Sequence, residues 1–164
     1  MGLIDDWKNV HAIWRIPLHF GAALWALLWL GEIPALDFGP FTILSQSVLI
    51  PLALLALVWL TNLFNFMDGI DGLAGSELFF VTGFSLVAGF SGLDSGRSEL
   101  LTVACGSAAG FLVWNWHPAR IFMGDVGSGF AGFFIGLMAL FTVQAGVMTY
   151  WTWLILLAIF AVDA

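Results

Sequence analysis

Charged side chains are scarce in this chain of 164 residues, where they make up 9% of the sequence. Soluble globular proteins carry about 25%, and so few charges cannot cover the surface of a compact body of this size. Hydrophobic residues reach 61%, and the mean hydropathy is +1.01. These values exclude a water-soluble domain and predict a protein surrounded by membrane lipid.

Basic residues are the scarcer charged class, because four Lys and Arg face eleven Asp and Glu for a net charge of -7. That sign argues against nucleic acid as a partner and favours a cationic one. Cys105 is the single cysteine, so no disulfide can form within the chain. A basic signal-peptide segment is also lacking after Met1. We expect residues 1–164 to be one membrane domain from the middle of a longer protein.

Long stretches without charged residues predict the helices that cross the membrane. A crossing needs about 20 mainly apolar residues, and the last stretch is long enough for two, with a weak point near Gln144. The sequence therefore predicts an all-α, polytopic helical bundle with about six spans. Gly106 and Gly110 form a small-residue pair typical of helix packing in membranes. The stretches are residues 16–31, 38–67, 78–93, 100–119 and 126–162.

Six crossings would place the loops around Asp5, Asp68 and Asp125 on one side of the membrane. The loops around Asp37 and Asp94 would lie on the other side. The first side carries three basic residues and the second carries one, so the excess of positive charge makes the first side cytoplasmic. We expect three polar clusters to meet on that face.

The first polar cluster precedes the first predicted span. It contains the adjacent residues Asp5 and Asp6, with Arg15 one turn before the span. Adjacent carboxylates repel, so the pair is costly beside a membrane unless a cation or bulk water screens its charge. A solvated loop with a helix cap at Asp6 is the alternative.

The second polar cluster interrupts an apolar segment and includes Asn62 and Asn65. Asp68 and Asp71 are three residues apart, so their carboxylates would share one face of a helix. Three glycines within residues 69–75 let the backbone approach a ligand closely. A pair of capping aspartates is the alternative interpretation.

The third polar cluster runs from Asn115 to a glycine-rich segment at residues 124–129. Helix N-termini favour anions, so this backbone could hold a phosphate while Asp125 holds a hard cation. Asp125 as a simple N-terminal cap is the alternative.

Carboxylates with few histidines and no paired cysteines favour magnesium or manganese over zinc. Magnesium usually takes one or two carboxylates together with substrate phosphates. The residues alone therefore predict a membrane-embedded site for phosphoryl transfer on a diphosphate substrate. A cation- or proton-coupled transporter would use similar residues, and both interpretations stay open at this point.

Three ordered motifs, GLIDD at 2–6, NFMDGIDGLA at 65–74 and PARIFMGDVGS at 118–128, resemble those of the polyprenyl-phosphate N-acetylhexosamine-1-phosphate transferase superfamily. Phe66 and Met67 resemble the members that initiate O-antigen more than phospho-N-acetylmuramoyl-pentapeptide transferase. The resemblance implies an enzyme that transfers a sugar 1-phosphate from a UDP-N-acetylhexosamine to undecaprenyl phosphate and releases UMP. It also implies dependence on Mg²⁺, with Mn²⁺ as a substitute, on the cytoplasmic face of the bacterial inner membrane.

The resemblance also implies roles for individual residues. Asp125 would be the metal ligand, Phe122 would stack on the uracil, and Asp71 would lie against the base. The nucleotide pocket would be completed by Asn62, Asn65, Asp68 and Asn115. The implied catalytic residues are Asp5, Asp6, Asp68, Asp71 and Arg15. Family members have about ten spans, so the isolated chain is expected to be inactive; a homodimer stays open.

Overall fold

A computed structural model of the protein describes residues 12–89 and 92–163. Its helices are α1 (Ala12–Leu30), α2 (Gln46–Met67), α3 (Leu73–Gly89), α4 (Ser95–Asn115), α5 (Gly124–Gln144), α6 (Tyr150–Leu156) and α7 (Ala158–Asp163). Two short strands, β1 (Leu36–Asp37) and β2 (Thr42–Ile43), pair antiparallel, with Leu36 opposite Ile43. The prediction of an all-α fold is confirmed.

Polar side chains cap the starts of two helices, α4 and α6. The Asp94 carboxylate accepts a hydrogen bond from the Arg97 N–H at 2.9 Å and so caps the start of α4. Thr149 caps α6 in the same way through the Thr152 N–H. The break predicted near Gln144 is present, because α5 ends there. The helical segment 150–163 is interrupted at Leu157.

Helices α2 and α5 form the centre of the bundle and approach each other most closely at Gly132. A Cβ atom there would overlap the Leu60 carbonyl oxygen and lie 2.9 Å from the Cα of Thr61. At Gly136, a Cβ atom would lie 2.6 Å from the Leu57 side chain. This small-residue pair lets the two helix backbones touch.

The predicted packing pair, Gly106 and Gly110, lies on an open face of α4. A Cβ atom at either position would meet nothing within 4 Å among the residues that the structure describes. Within the described part of the chain, the tight helix crossing is therefore made by Gly132 and Gly136 rather than by the predicted pair.

Two of the helices, α2 and α5, are long and apolar enough to cross a membrane, whereas α3 and residues 15–30 of α1 are shorter apolar segments. The count of six spans therefore stays a prediction. The structure does place the loops in alternation. The start of α1, the end of α2 and the start of α5 meet at one end of the bundle, which we name the motif end. The hairpin and the α3–α4 and α5–α6 connections meet at the other, the far end.

Candidate functional site

Asp125 lies in the first turn of α5, at the centre of the motif end. Its Oδ2 accepts a hydrogen bond from Arg15 Nη2 at 3.0 Å, and its Oδ1 accepts one from Asn65 Nδ2 at 2.7 Å. The side chains of Arg15 and Asp125 are 27% and 32% exposed, so the ion pair remains accessible from solvent. Three helices thus hold one carboxylate in place.

Asn65 links the Arg15–Asp125 ion pair to Ser128 of α5. Its Oδ1 accepts a hydrogen bond from Arg15 at 3.4 Å, and its Nδ2 also donates to Ser128 Oγ at 3.1 Å. Ser128 is fully buried and donates to the Gly124 carbonyl at 2.9 Å. The sequence prediction did not single out Ser128; its place three residues after Asp125 is the signal that marks it as sharing a helix face.

Asp68 follows the last residue of α2 and brings a second carboxyl group close to Asp125. Burial raises the pKa of Asp68 to about 6, and the negative charge of Asp125 adds to the rise. The backbone N–H of Gly124 donates to Asp68 and opposes this rise in pKa. Gly124 has a φ of +65°, a conformation that favours glycine. Two carboxyl groups this close form a local excess of negative charge that a cation would neutralise.

Asp71 connects the second motif to the third. Its Oδ2 accepts a hydrogen bond from the Ala119 N–H at 3.0 Å and lies 3.1 Å from His117 Nδ1. The Ala119 bond, assisted by His117, holds the pKa of Asp71 below its usual range although partial burial acts in the opposite direction. Asp71 is therefore ionised at neutral pH.

Asn115 is buried, with 4% of its surface exposed. Its Oδ1 accepts a hydrogen bond from the Gly72 N–H at 2.9 Å, and its Nδ2 donates to the Ile121 carbonyl at 2.8 Å. We predicted Asn115 as a nucleotide contact. Both polar ends of its amide bond to the backbone, so Asn115 joins the two motif loops. Its predicted contact with a nucleotide stays a prediction.

The remaining predicted residues differ in their surroundings. The Phe122 ring is 72% exposed, which leaves it open for stacking. Asn62 donates to the Val58 carbonyl of its own helix at 2.7 Å, and its predicted contact with a nucleotide stays a prediction. Asp5 and Asp6 lie outside the described residues.

The donor set around Asp125 fits a magnesium ion. It offers carboxylate oxygens from Asp125 and Asp68, and magnesium usually takes one or two carboxylates, with water and substrate phosphates as its other ligands. Within residues 12–89 and 92–163, no group of three or more His, Cys, Asp or Glu side chains is arranged to hold a metal. A dedicated all-protein metal cage is thus not found in that part of the chain.

Comparison with known proteins decides the family. The model of glycosyl transferase family 4 matches residues 1–143. This chain belongs to glycosyl transferase family 4. The resemblance drawn from the three motifs is thereby confirmed at the level of the superfamily.

Three curated relatives are similar to this family member. Phospho-N-acetylmuramoyl-pentapeptide-transferase of Moorella thermoacetica is 39% identical over 140 residues, covering 78% of this chain and 41% of the relative. A probable undecaprenyl-phosphate N-acetylglucosaminyl 1-phosphate transferase of Bacillus subtilis is 32% identical over 158 residues, covering 92% and 42%. The Helicobacter hepaticus pentapeptide-transferase is 41% identical over 126 residues, covering 66% and 35%. The chain thus spans about two-fifths of the length of these relatives.

Proposed function

We propose that the complete protein carrying this sequence transfers a sugar 1-phosphate from a UDP-N-acetylhexosamine to undecaprenyl phosphate and releases UMP. The reaction takes place on the cytoplasmic face of the bacterial inner membrane, in a multi-pass bundle, and starts a lipid-linked glycan such as an O-antigen. Family membership supports the reaction class, and the relatives are named for phospho-sugar transfer. The observation that carries the proposal is the Asp125 carboxylate, held by Arg15 and Asn65 at the start of a helix.

The start of α5 supplies the position for a phosphate group. Backbone N–H groups at a helix N-terminus favour anions, and the Arg15 guanidinium lies beside them in its bond to Asp125. In the proposed reaction an oxygen of the acceptor phosphate attacks the β-phosphorus of the UDP-sugar. The bond from that phosphorus to the bridging oxygen breaks, and the electron pair leaves with UMP.

Little proton removal is needed for this step. A phosphate monoester has its second pKa near ~6, so the acceptor is mostly dianionic at neutral pH. We therefore assign Asp5 and Asp6 to positioning and to charge balance rather than to general-base catalysis. The barrier is lowered by alignment of the two phosphates and by neutralisation of their charge.

Asp125 and Asp68 would hold the magnesium ion, with Mn²⁺ as a substitute. When bound, the ion would neutralise charge on the diphosphate. Phe122, with its exposed ring, would stack on the uracil, while Asn62 and Asp71 would complete the nucleotide pocket. Asn65 would orient Asp125, and Asn115 would hold the two motif loops in register through its backbone bonds. The comparisons do not favour the transporter alternative.

The test is UMP release by the complete protein in lipid vesicles that contain undecaprenyl phosphate. UDP-N-acetylglucosamine and UDP-N-acetylgalactosamine are supplied in turn, with Mg²⁺, with Mn²⁺ or with a chelator. We expect UMP only when donor, acceptor and divalent metal are all present. Absence of release with every UDP-sugar, or release that continues without the acceptor lipid, would contradict the proposed transfer.

A further inference from the structure

We propose that Glu77 is the docking point for a basic side chain carried by a helix of the complete protein that lies outside residues 1–164. Glu77 belongs to α3 and follows Leu73, the first residue of that helix, by four positions. It therefore lies about 6 Å along the helix axis from the motif end. The proposed transfer reaction gives Glu77 no role. The inference concerns the assembly of the bundle and goes beyond that reaction.

Glu77 carries a buried carboxyl group without a hydrogen-bond partner. The residue is 5% exposed, and its Oε1 is closed off from solvent and receives no hydrogen bond from the residues that the structure describes. Ala74 and Val81 lie on the same face of α3, three residues before and four after it, and both are buried in the apolar core. The carboxyl group thus lies against that core, where an unpaired charge is costly.

The described basic residues make their contacts elsewhere. Arg15 and Arg97 form ion pairs with aspartates, and the guanidinium of Arg120 lies over an aromatic ring. Within the described part of the chain, no basic side chain pairs with Glu77. The remaining basic residue, Lys8, lies outside the described residues and enters the test below as a separate outcome.

A basic partner explains why a carboxyl group occupies this position. Ionisable side chains within a membrane bundle face its interior and pair with one another. A well-packed apolar residue of similar volume would be at least as stable here as a carboxyl group that has no partner. A positively charged side chain would compensate the charge of Glu77 and donate a hydrogen bond to its unpartnered oxygen.

An open apolar face of α3 beside Glu77 shows where the partner helix packs. Phe80 and Phe84 follow Glu77 by three and seven residues and share its side of the helix. They are 55% and 41% exposed, and their ring centres are 6.5 Å apart. A helix that covers these two rings would bring a side chain to Glu77. Because the chain spans about two-fifths of the length of its relatives, we assign this helix to the remainder of the complete protein.

The first test uses the sign of a change in stability, measured by thermal unfolding of the complete protein in detergent. Glu77→Leu keeps the approximate volume of the side chain and removes its charge. It would leave the basic partner buried and unpaired, so we expect the unfolding midpoint to fall by about 5 °C. A midpoint equal to or above that of the wild type would overturn the proposal, because it would show that no charged partner was lost.

Glu99→Leu is the matched control for this substitution. Glu99 is exposed on α4, and we expect its replacement to shift the midpoint by less than about 2 °C. An equal fall for both variants would overturn the proposal as well, since the loss would then not depend on the buried position.

The second test determines the protonation state of Glu77. Infrared difference spectra between the wild type and Glu77→Gln show whether the lost signal belongs to a carboxylate or to a protonated carboxyl group. A carboxyl group that faces a basic side chain is ionised at neutral pH, so we expect the carboxylate signal. The signal of a protonated carboxyl group would overturn the ion pair.

A charge exchange identifies the partner. Glu77→Lys brings two positive charges together, and we expect the yield of folded protein to fall about tenfold. Each Lys and Arg outside residues 1–164 is then replaced by Glu in this variant, and one of these exchanges should restore folded protein. Rescue by Lys8→Glu alone, or by no exchange, would overturn the assignment to a helix outside residues 1–164. None of these measurements reads UMP release, so failure of the ion pair and failure of the transfer reaction are distinguishable.

Discussion

The two ends of the bundle use hydrogen bonds differently. At the motif end, charged and amide side chains bond to one another, as Arg15, Asn65 and Asp125 do. At the far end there is an exposed ion pair between Arg97 and Asp94, but four neutral side chains bond to the backbone of residues 30–37. These far-end bonds join Gln46 to Ile33, Gln144 to Leu30 and Glu32, Tyr150 to Pro34, and Trp151 to Asp37.

This difference distinguishes the bonds that stabilise the fold from the residues proposed to act in the reaction. Backbone groups that leave regular structure must find partners, so the far-end bonds serve to hold a non-helical connection in place. The motif end instead collects carboxyl groups, where burial raises the pKa of Asp68 and the negative charge of Asp125 adds to the rise. Carboxyl groups brought together in this way are typical of sites that bind a ligand. We therefore expect substitutions at the far end to change stability and those at the motif end to change activity.

Gly132→Val should have the largest effect, because α2 and α5 form the centre of the bundle and position the residues at both of its ends. The added side chain would overlap backbone atoms of Leu60, and overpacking that the backbone must absorb costs about 3 kcal/mol or more. We expect little folded protein in detergent extracts. Gly106→Val is the matched control, since a Cβ there meets nothing within 4 Å among the described residues. Equal thermal unfolding of the two variants would contradict the packing described here.

The sequence alone could predict part of this architecture. Charge-free stretches predicted the long helices, and the alternation of loops predicted that Asp68 and Asp125 would meet. The two glycine pairs, by contrast, look alike in sequence. Only the three-dimensional course of α2 and α5 decides that Gly132 and Gly136 make the close contact.

The candidate site was predictable to a similar extent. The three motifs marked Asn65, Asp68 and Asp125, because carboxylates and glycines within apolar surroundings are conspicuous. They could not show that Asn115 turns both ends of its amide to the backbone or that His117 meets Asp71. These contacts join residues more than 40 positions apart or depend on loop geometry, which no local pattern contains.

Arg15→Gln is expected to have the next largest effect, and the effect should fall on activity. It removes the guanidinium from Asp125 while Asp68 remains near that carboxylate. We expect kcat/KM for UMP release to fall about 100-fold, equivalent to about 2.7 kcal/mol. Arg97→Gln changes the same residue type at the far end, where it pairs with Asp94. Equal kcat/KM values for the two variants would contradict the claim that activity depends on the motif end and not on the far end.

Asn115→Leu should act on stability although it lies at the motif end. It leaves the Gly72 N–H and the Ile121 carbonyl without their buried partner, and such groups cost about 2 kcal/mol. Chemical unfolding in detergent measures the loss. Asn62→Leu is the control, because the Asn62 amide is exposed and bonds within its own helix. A smaller loss for Asn115→Leu than for this control would show that the amide does not join the loops.

Gln144→Met should have the smallest effect. It keeps the length of the side chain but removes the 3.2 Å hydrogen bond to the Glu32 carbonyl. We expect a loss of about 1 kcal/mol in the free energy of unfolding. The rate of UMP release per folded molecule should stay within twofold of the wild type. A large drop in that rate would mean that the far end takes part in the reaction.

The most direct test of the account compares two carboxylates at opposite ends, through the rate of UMP release per folded molecule. Asp37 accepts hydrogen bonds from Gly39 and Thr42 in the exposed hairpin at the far end, whereas Asp125 lies at the centre of the motif end. We predict at least a 100-fold loss for Asp125→Asn and a change within twofold for Asp37→Asn. Full activity of a folded Asp125→Asn protein would contradict the assignment of the motif end to sugar-phosphate transfer.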